Sequence, residues 1–397
     1  MTRDLHPDLL VIGAGVIGLA SALEAARMGL RVTVIERGQA AARGATHAAA
    51  GMLSPLGEAR NAGALFELGL RSLRMYERWV QGIEEDSGIS VEFRKCGKLR
   101  VALTDDEVGA LEARAILARN RGVPAEWLPP DAIRGAGPQV TPSVRAALLI
   151  HDDFRVDNRR LGDALARAAT HHGVELRMGT EAITVLAERS RFTGVRLADG
   201  STIPAGRVLL AAGAWSPLLE GLPAPLPVRP VRGQMLALLP ATPPASQVIE
   251  SEDVYLVPRD DGRVLVGATM EEAGYRIENT AAGIRRLLEG AIRLAPHLAD
   301  APLTEIWSGL RPGTSDGNPL IGPDPELEGL LIATGHFRNG ILLAPITAHL
   351  IGRLFEGEGA AVPSELAGLP SELAAPPSAF AALLSEFAPG RTRRPAS

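Results

Sequence analysis

One stretch of sequence decides the fold: residues 8–36 read DLLVIGAGVIGLASALEAARMGLRVTVIE. The continuous apolar run at 9–12 is typical of a parallel strand that is buried on both faces. A G-x-G-x-x-G pattern follows, then a helix-like segment at 19–28, and then a second apolar run at 31–35. This order predicts a strand, a glycine-rich turn, a helix and a second strand that together form one βαβ unit.

The glycines of this unit have separate physical roles. Gly13 makes the tight turn, Gly15 lets the backbone approach a pyrophosphate, and Gly18 permits close helix packing. The N-terminus of the helix presents N–H groups and the positive end of its dipole. Glu36 follows the second strand, where its carboxylate can accept hydrogen bonds from ribose hydroxyls and disfavours the 2′-phosphate of NADP. The unit therefore predicts dinucleotide binding.

A strand much later in the chain narrows the choice of dinucleotide. Residues 207–215, RVLLAAGAW, form an apolar run that ends in small residues, which permits close approach to the same cofactor. An NAD dehydrogenase would complete its nucleotide-binding fold locally, whereas a cofactor held between distant segments favours FAD. The alternative is an ordinary buried strand with no cofactor contact.

Composition excludes several classes of protein. The 397 residues include 41 Lys and Arg and 46 Asp and Glu, which gives a net charge of −5 and disfavours nucleic-acid binding. Cys96 is the single cysteine, so the chain has no internal disulfide and no cysteine-rich metal cluster, and we predict no metal site. Residues 9–23 are apolar but fewer than the roughly 20 that a membrane span needs. We expect a soluble, cytoplasmic protein with two or three structural units.

Patterning predicts elements in the rest of the chain. Helical spacing of apolar residues occurs at 65–83, 105–121, 161–172 and 281–294. Two apolar runs at 254–257 and 263–267 flank an Asp-Asp-Gly turn and predict an antiparallel hairpin. Residues 335–340 form a glycine-bounded turn that leads into an apolar helix, whose N-terminal dipole would stabilise negative charge on a flavin ring.

Several motifs together resemble one known family. They are THAAAGML at 46–53, YLVPR at 255–259, VGATM at 266–270, GLRPGT at 309–314 and GHFRNGILLAP at 335–345. With the glycine-rich fingerprint, these motifs resemble the D-amino-acid oxidase superfamily of FAD-dependent oxidoreductases, and within it the glycine oxidases of thiamine biosynthesis. The resemblance covers roughly residues 8–355.

The resemblance implies an α/β fold with two interleaved domains. One is a Rossmann-like, glutathione-reductase-type FAD-binding domain, expected at 1–88, 149–228 and 305–360. The other is a substrate-binding α+β domain built on an antiparallel sheet, expected at 89–148 and 229–304. Residues 361–397, rich in Pro, Ala, Ser and Glu, are expected to be a peripheral tail.

The resemblance also implies roles for individual residues. Arg311 would pair with the substrate carboxylate, helped by the Tyr255 hydroxyl, because a planar guanidinium binds a carboxylate through two parallel hydrogen bonds. Met270 would line a small substrate pocket, and Arg338 would lie at the flavin and substrate end. FAD would be non-covalent, since no cysteine lies near Arg311. Besides the fingerprint residues, the implied flavin contacts are Val16, Ile17, Arg37, Ala45, Thr46, Ala50, Gly51, Met52, Ala182, His336, Phe337, Arg338, Asn339, Gly340, Ile341 and Leu342.

Each of these residues also has an ordinary structural interpretation. Arg311 could form an interdomain salt bridge, and Tyr255 could be a core residue of its strand. Met270 could fill a gap in the packing. Arg338 could bind a backbone carbonyl, and His336 could be a structural hydrogen-bonding residue.

The resulting functional prediction is oxidative deamination by hydride transfer to FAD. Glycine, sarcosine and small D-amino acids are the expected substrates, with oxygen as the acceptor and hydrogen peroxide as a product. No Asp, Glu or His stands out as a base at the α-carbon. The resemblance further implies a homotetramer that supplies glycine imine to a thiazole synthase. The alternatives are a related sarcosine oxidase, a D-amino-acid oxidase or dehydrogenase, and a flavin-binding module without catalytic activity.

Overall fold

The computed structural model describes residues 6–58, 63–135, 139–355, 382–383 and 385–393. In chain order the helices are α1 Val16–Arg27, α2 Ala45–Ala48, α3 Pro55–Glu58, α4 Ala64–Ser87, α5 Asp105–Asn120, α6 Pro130–Gly135, α7 Asn158–His171, α8 Ala281–Leu294 and α9 Gly340–Arg353. Short 3-10 helices occupy Gly213–Leu218, Pro296–Asp300 and Pro389–Arg393.

The strands are short apart from one long pair. They are β1 Leu9–Ile12, β2 Val32–Glu36, β3 Met52–Leu53, β4 Lys98–Ala102, β5 Ala125–Leu128, β6 Ala146–Ile150, β7 Phe154–Arg155, β8 Glu175–Met178, β9 Ala182–Glu188, β10 Arg191–Leu197, β11 Thr202–Pro204, β12 Arg207–Leu210, β13 Val228–Leu238, β14 Val248–Glu250, β15 Tyr255–Pro258, β16 Val264–Gly267, β17 Leu303–Thr314, β18 Leu320–Pro323 and β19 Leu330–Thr334.

The dinucleotide-type sheet has β1 near its centre. Its strand order is β18-β19-β12-β1-β2-β8, and every pairing is parallel except β18 with β19. Helices α1, α4, α7 and α9 pack together on one face, and the β9–β11 sheet lies over the other. All four residues of β1 are buried, as expected for a strand that is covered on both faces. The predicted βαβ unit is confirmed.

A second, larger sheet is mostly antiparallel. Its order is β17-β13-β16-β15-β14-β4-β6-β5, and only β14 with β4 is parallel among these pairings. The long strands β13 and β17 pair along nearly their whole length. The predicted hairpin is confirmed as β15 and β16, and the helix predicted at 281–294 is α8, which packs against this sheet. The predicted α/β fold class is therefore confirmed.

Both sheets draw their strands from across the chain. The first takes strands from before residue 40 and from after residue 170, while β4 to β6 of the second sheet lie between them. The exact domain bounds given above stay a prediction. The predicted tail at 361–397 lies largely outside the described residues. In its described part, Phe387 is buried, and Arg391 donates to the carbonyl of Pro319 over 2.9 Å.

The helices of the described residues were compared with the length and hydropathy of a membrane-spanning segment. None of them combines the length and the apolar character that crossing a bilayer requires. The longest, α4, begins at Ala64 and ends at Ser87, and its C-cap Gly88 has φ +66°. Glycine suits this left-handed position because it has no Cβ.

Replacing Gly18 with alanine tests the packing of α1 on β1. A Cβ at Gly18 would collide with the backbone carbonyl oxygen of Gly13, which has no flexible end that can move aside. We expect Gly18→Ala to lower the free energy of unfolding by about 1–3 kcal/mol and to reduce FAD retention. Urea unfolding and the flavin content of purified protein measure both effects.

The matched control is Gly109→Ala in the exposed helix α5. A Cβ at Gly109 meets no heavy atom within 4 Å, so this change should be neutral or stabilise by about 0.5–1 kcal/mol. Equal changes of unfolding free energy and flavin content in Gly18→Ala and Gly109→Ala would contradict the packing argument.

Candidate active site

A large cavity lies where the two sheets meet. Its volume is about 760 Å³, and it is lined from both the dinucleotide-type sheet and the larger sheet. Most of the residues singled out in the sequence line it. These are Gly13, Gly15, Val16, Ile17, Glu36, Arg37, Ala45, Thr46, Ala50, Gly51, Met52, Ala182, Tyr255, Arg311, His336, Phe337, Arg338, Asn339, Gly340, Ile341 and Leu342.

One end of the cavity is built by the glycine-rich turn. Gly13 has φ +106°, and a Cβ there would lie 2.6 Å from the carbonyl oxygen of Ala211. The backbone N–H of Val16 donates to Thr46 Oγ1 over 2.9 Å, which joins the start of α1 to α2. Gly15, the N-cap of α1, contributes no side-chain cap. The helix N-terminus is therefore a site for an anion.

Glu36 is positioned by backbone donors. Its carboxylate accepts from the N–H of Ala14 and from the N–H of Gly38, each over 2.9 Å. The neighbouring Arg37 guanidinium lies 4.0 Å from the ring centroid of Trp215. This pair encloses the same end of the cavity, and the sequence had pointed to Trp215 only as the end of an apolar run.

The second helix that points at the cavity is α9. Its N-cap, Asn339, makes no side-chain cap, and the N–H of Phe337 donates to the carbonyl of Pro312 over 2.9 Å. From α4, the Tyr76 hydroxyl donates to the carbonyl of Ile341 over 2.8 Å. These bonds hold the start of α9 beside β17, and its dipole directs positive potential into the cavity.

His336 lies just before α9 and is fully enclosed. Its Nε2 is 3.0 Å from Thr347 Oγ1. Burial lowers its pKa to about 3, so the imidazole is neutral at physiological pH. A neutral, hydrogen-bonded ring fits the structural interpretation of His336 better than a role in proton transfer.

Two glycines on the larger sheet make room for the predicted carboxylate-binding pair. A Cβ at Gly233 would overlap the guanidinium of Arg311, and a Cβ at Gly267 would overlap the ring of Tyr255. The guanidinium Nη1 donates to the carbonyl of Thr269 over 3.1 Å. Sequence reasoning missed both glycines, because nothing local distinguishes them from other strand glycines.

Three of the predicted residues have different surroundings from the rest. Met270 does not line the cavity, and its side chain is 58% exposed. Gly18 does not line it either, since it packs against Gly13 beneath the turn. Arg338 lines the cavity with an exposed side chain, and its charge acts on Glu250 of β14. Their functional roles stay predictions.

Arg259 is a further residue whose role the sequence did not indicate, although it ends the YLVPR motif. It is buried and donates to the carbonyls of Val156 and Ala50 and to Asn158 Oδ1 over 2.7, 3.0 and 2.8 Å. Burial lowers its pKa to about 10, so it remains charged. Arg259 therefore holds the 50–52 segment against the cavity.

Comparison with known proteins identifies the family. The family model described as FAD dependent oxidoreductase, DAO, matches residues 8–354. The chain belongs to this family. It is therefore an FAD-dependent oxidoreductase, and the FAD prediction is confirmed.

Relatives with established names extend the comparison. A bifunctional protein ThiO/ThiG from Nostoc is 40% identical over 89% of this chain and 53% of its own length. The chain thus spans about half the length of these bifunctional relatives. A glycine oxidase from Pseudomonas aeruginosa is 36% identical over 88% of this chain and 94% of its own. The crystal structure of glycine oxidase from Geobacillus kaustophilus superimposes with a TM-score of 0.85 at 31% identity, covering 90% of this chain and 97% of that one.

The cavity has the features that FAD needs. Two helices of 12 and 14 residues direct their N-termini into it, and their N-cap residues Gly15 and Asn339 form no side-chain cap, which suits the pyrophosphate and the electron-rich end of a flavin. Because Gly13 has no Cβ, the turn packs against the backbone of Ala211, and both residues line the cavity. Residues 13–17, 36–37, 45–52 and 336–342 would hold FAD.

Two buried histidines predict how stability depends on pH. Burial lowers the pKa of His336 to about 3 and that of His349 to about 4, below the value near 6.5 expected in the unfolded chain. Their contribution to stability is complete above pH 6.5 and declines as the pH falls towards the folded pKa values. Each adds a slope of up to about 1.4 kcal/mol per pH unit.

Urea unfolding between pH 7 and pH 5 tests this effect with His349→Gln. The variant should lose about 2 kcal/mol less than the wild type between pH 6.5 and pH 5. His151 is half-exposed, and His151→Gln serves as the control for replacing a histidine as such. If the free energy of unfolding of His349→Gln depended on pH as in the wild type, His349 would not be held neutral in the folded protein.

Proposed function

We propose that this oxidoreductase carries out oxidative deamination of glycine and other small amines bearing a carboxylate, including sarcosine and small D-amino acids. One observation carries the proposal: Arg311 and Tyr255 line the same cavity as the dinucleotide turn and the start of α9. A cation and a phenol that line one cavity can both bind a carboxylate, and the α-carbon of a short amino acid would then face the cofactor.

The chain contributes orientation and electrostatics to this reaction. Arg311 would bind the substrate carboxylate in a bidentate manner, and the Tyr255 hydroxyl would donate a further hydrogen bond. The positive ends of α1 and α9 stabilise negative charge at the two ends of the cavity. Bound FAD supplies the acceptor for the hydride, with oxygen as the final acceptor and hydrogen peroxide as a product. The imine product would hydrolyse to an oxo acid and ammonia.

The names of the relatives support this assignment. Proteins named glycine oxidase resemble this chain over most of both lengths. The bifunctional ThiO/ThiG relatives support the proposal that the imine is handed to a thiazole synthase for thiamine. A homotetramer and a cytoplasmic location belong to the same proposal.

Anaerobic mixing with glycine tests the proposed activity. Because the carboxylate site places the α-carbon towards the cofactor, glycine should bleach the visible flavin absorbance of the purified protein. Propionate, which carries the carboxylate but no amine, serves as the control and should leave the spectrum oxidised. A protein that retains FAD and is not reduced by glycine would contradict the glycine assignment. Reduction by sarcosine or D-alanine alone would then favour the related oxidases, and reduction by no amine would favour a flavin-binding module without catalysis.

Arg311→Ala tests the carboxylate site separately. Removing a paired cation from an enclosed site should raise the KM for glycine about 100-fold, which corresponds to a loss of roughly 3 kcal/mol of binding. Arg285→Ala, on the exposed face of α8, should leave the kinetics unchanged. Steady-state kinetics at equal flavin content provides the comparison. An unchanged KM in Arg311→Ala would rule out this role.

A further inference from the structure

A cluster of buried ionisable groups lies directly behind the cavity. The ammonium of Lys98 is 3.0 Å from Asp153 Oδ2 and 3.0 Å from Glu250 Oε2, and the Lys98 and Asp153 side chains are each only 2% exposed. Lys98 also donates to Ser54 Oγ. The Ser54 hydroxyl in turn donates to Asp153 Oδ2 over 2.5 Å.

The surrounding chain is shaped to enclose this cluster. A Cβ at Gly57, in α3, would overlap both Lys98 Nζ and Ser54 Oγ. Burying an ion pair of this kind is expensive, and apolar side chains of similar volume often give equal or greater stability. Stability alone therefore gives no reason for three buried charges at this position.

The cluster is connected to the substrate end of the cavity. Ser54 lines the cavity, whereas Asp153 and Lys98 lie behind it. Glu250 is the cross-strand neighbour of Tyr255 in the β14–β15 pair, and it is also held by Arg100 over 2.7 Å. The charge of Arg338 acts on Glu250 as well. Among Ser54, Lys98, Asp153 and Glu250, Ser54 is thus the residue that lines the cavity.

The proposed reaction, on which this inference rests, has a proton to dispose of. An amino acid arrives with a protonated amine, but a hydride leaves its α-carbon only when the nitrogen lone pair is free. A substrate that binds as the ammonium must therefore lose a proton inside the cavity. A hydroxyl oxygen has two lone pairs, and in Ser54 the Lys98 ammonium uses one of them. The second can accept from the substrate ammonium.

We propose that Ser54 and Asp153 take up the proton of the substrate ammonium. The N–H bond of the ammonium breaks as a new O–H bond forms at Ser54 Oγ, and the original hydroxyl proton passes to Asp153 Oδ2. The cavity is left with a neutral amine, and Asp153 is left as a neutral acid beside Lys98. Lys98 acts as a positioning residue, because its ammonium contacts both Ser54 Oγ and Asp153 Oδ2. The proton leaves by the reverse path when the product departs.

The electrostatics around Asp153 support its role as acceptor. Burial raises the pKa of the Asp153 carboxyl, and the negative Glu250 acts in the same direction. The Lys98 ammonium and the hydrogen bond from Ser54 act against this rise. The charged and titratable groups around the cluster are Lys98 on β4, Glu250 on β14, Cys96 before β4, and Arg100 and Arg338 acting on Glu250.

The test is the pH dependence of anaerobic flavin reduction by glycine. Asp153→Asn keeps the shape of the side chain and removes the carboxylate that accepts the proton. It should slow reduction about 100-fold at neutral pH, within the usual contribution of a positioned base. The rate should recover at a pH above the pKa of the glycine amine, where the substrate already arrives neutral. Ser54→Ala should behave in the same way, and Ser54→Thr, which restores the hydroxyl, should not.

Asp86→Asn is the matched control. Asp86 is a partly buried carboxylate that binds Arg27 over 2.6 Å and does not line the cavity, so its variant should keep the wild-type pH profile. Flavin content and the urea midpoint are measured for every variant. If Asp153→Asn does not fold, the comparison of Ser54→Ala with Ser54→Thr decides.

The outcomes separate this inference from the proposed function. A loss of equal size at every pH would overturn the proton-transfer role and leave a structural one. An unchanged rate in Asp153→Asn and Ser54→Ala would overturn it as well. Failure of the wild type to be reduced by any amine at any pH would instead contradict the proposed function itself.

Discussion

The architecture depends on backbone segments that touch with no side chain between them. Gly18 lies against the carbonyl of Gly13, and Gly13 lies against that of Ala211, so strand β1, helix α1 and the end of β12 converge at one turn. On the larger sheet, Gly233 and Gly267 leave space that Arg311 and Tyr255 occupy. The same constraint therefore shapes both the dinucleotide end and the carboxylate end of one cavity.

Buried charge is the second organising element. Arg259 joins the carbonyls of Ala50 and Val156, which lie in segments far apart in sequence. Lys98, on β4 of the larger sheet, donates to Ser54 and also pairs with Asp153 and Glu250. In the low-dielectric interior a buried cation is tolerated only when its N–H groups donate hydrogen bonds. Arg259 and Lys98 therefore hold the loops that they bind in one arrangement. The cavity wall formed by residues 50–54 is held from behind by both of them.

Sequence patterns predicted regular elements well where local rules decide them. Helix α8 begins and ends at the predicted residues, and the hairpin of β15 and β16 follows its Asp-Asp-Gly turn. Contacts between distant segments were not predictable in the same way. Nothing local to Trp215 indicates that Arg37 packs on its ring, and nothing near Lys98 indicates that its partners are Ser54, Asp153 and Glu250.

By itself, the sequence determined the βαβ unit, the preference for FAD and the motifs that mark the family. The βαβ unit and the motifs depend on residue types at short spacings, where backbone geometry dictates the outcome, and the preference for FAD came from a second small-residue strand at 207–215. Tertiary structure alone decided that Gly233 makes room for Arg311, that Met270 lies outside the cavity, and that Ser54 connects a buried cluster to it. The physical reason is that these properties depend on how strands pair and on long-range packing, and no local sequence pattern shows which distant residues will be in contact.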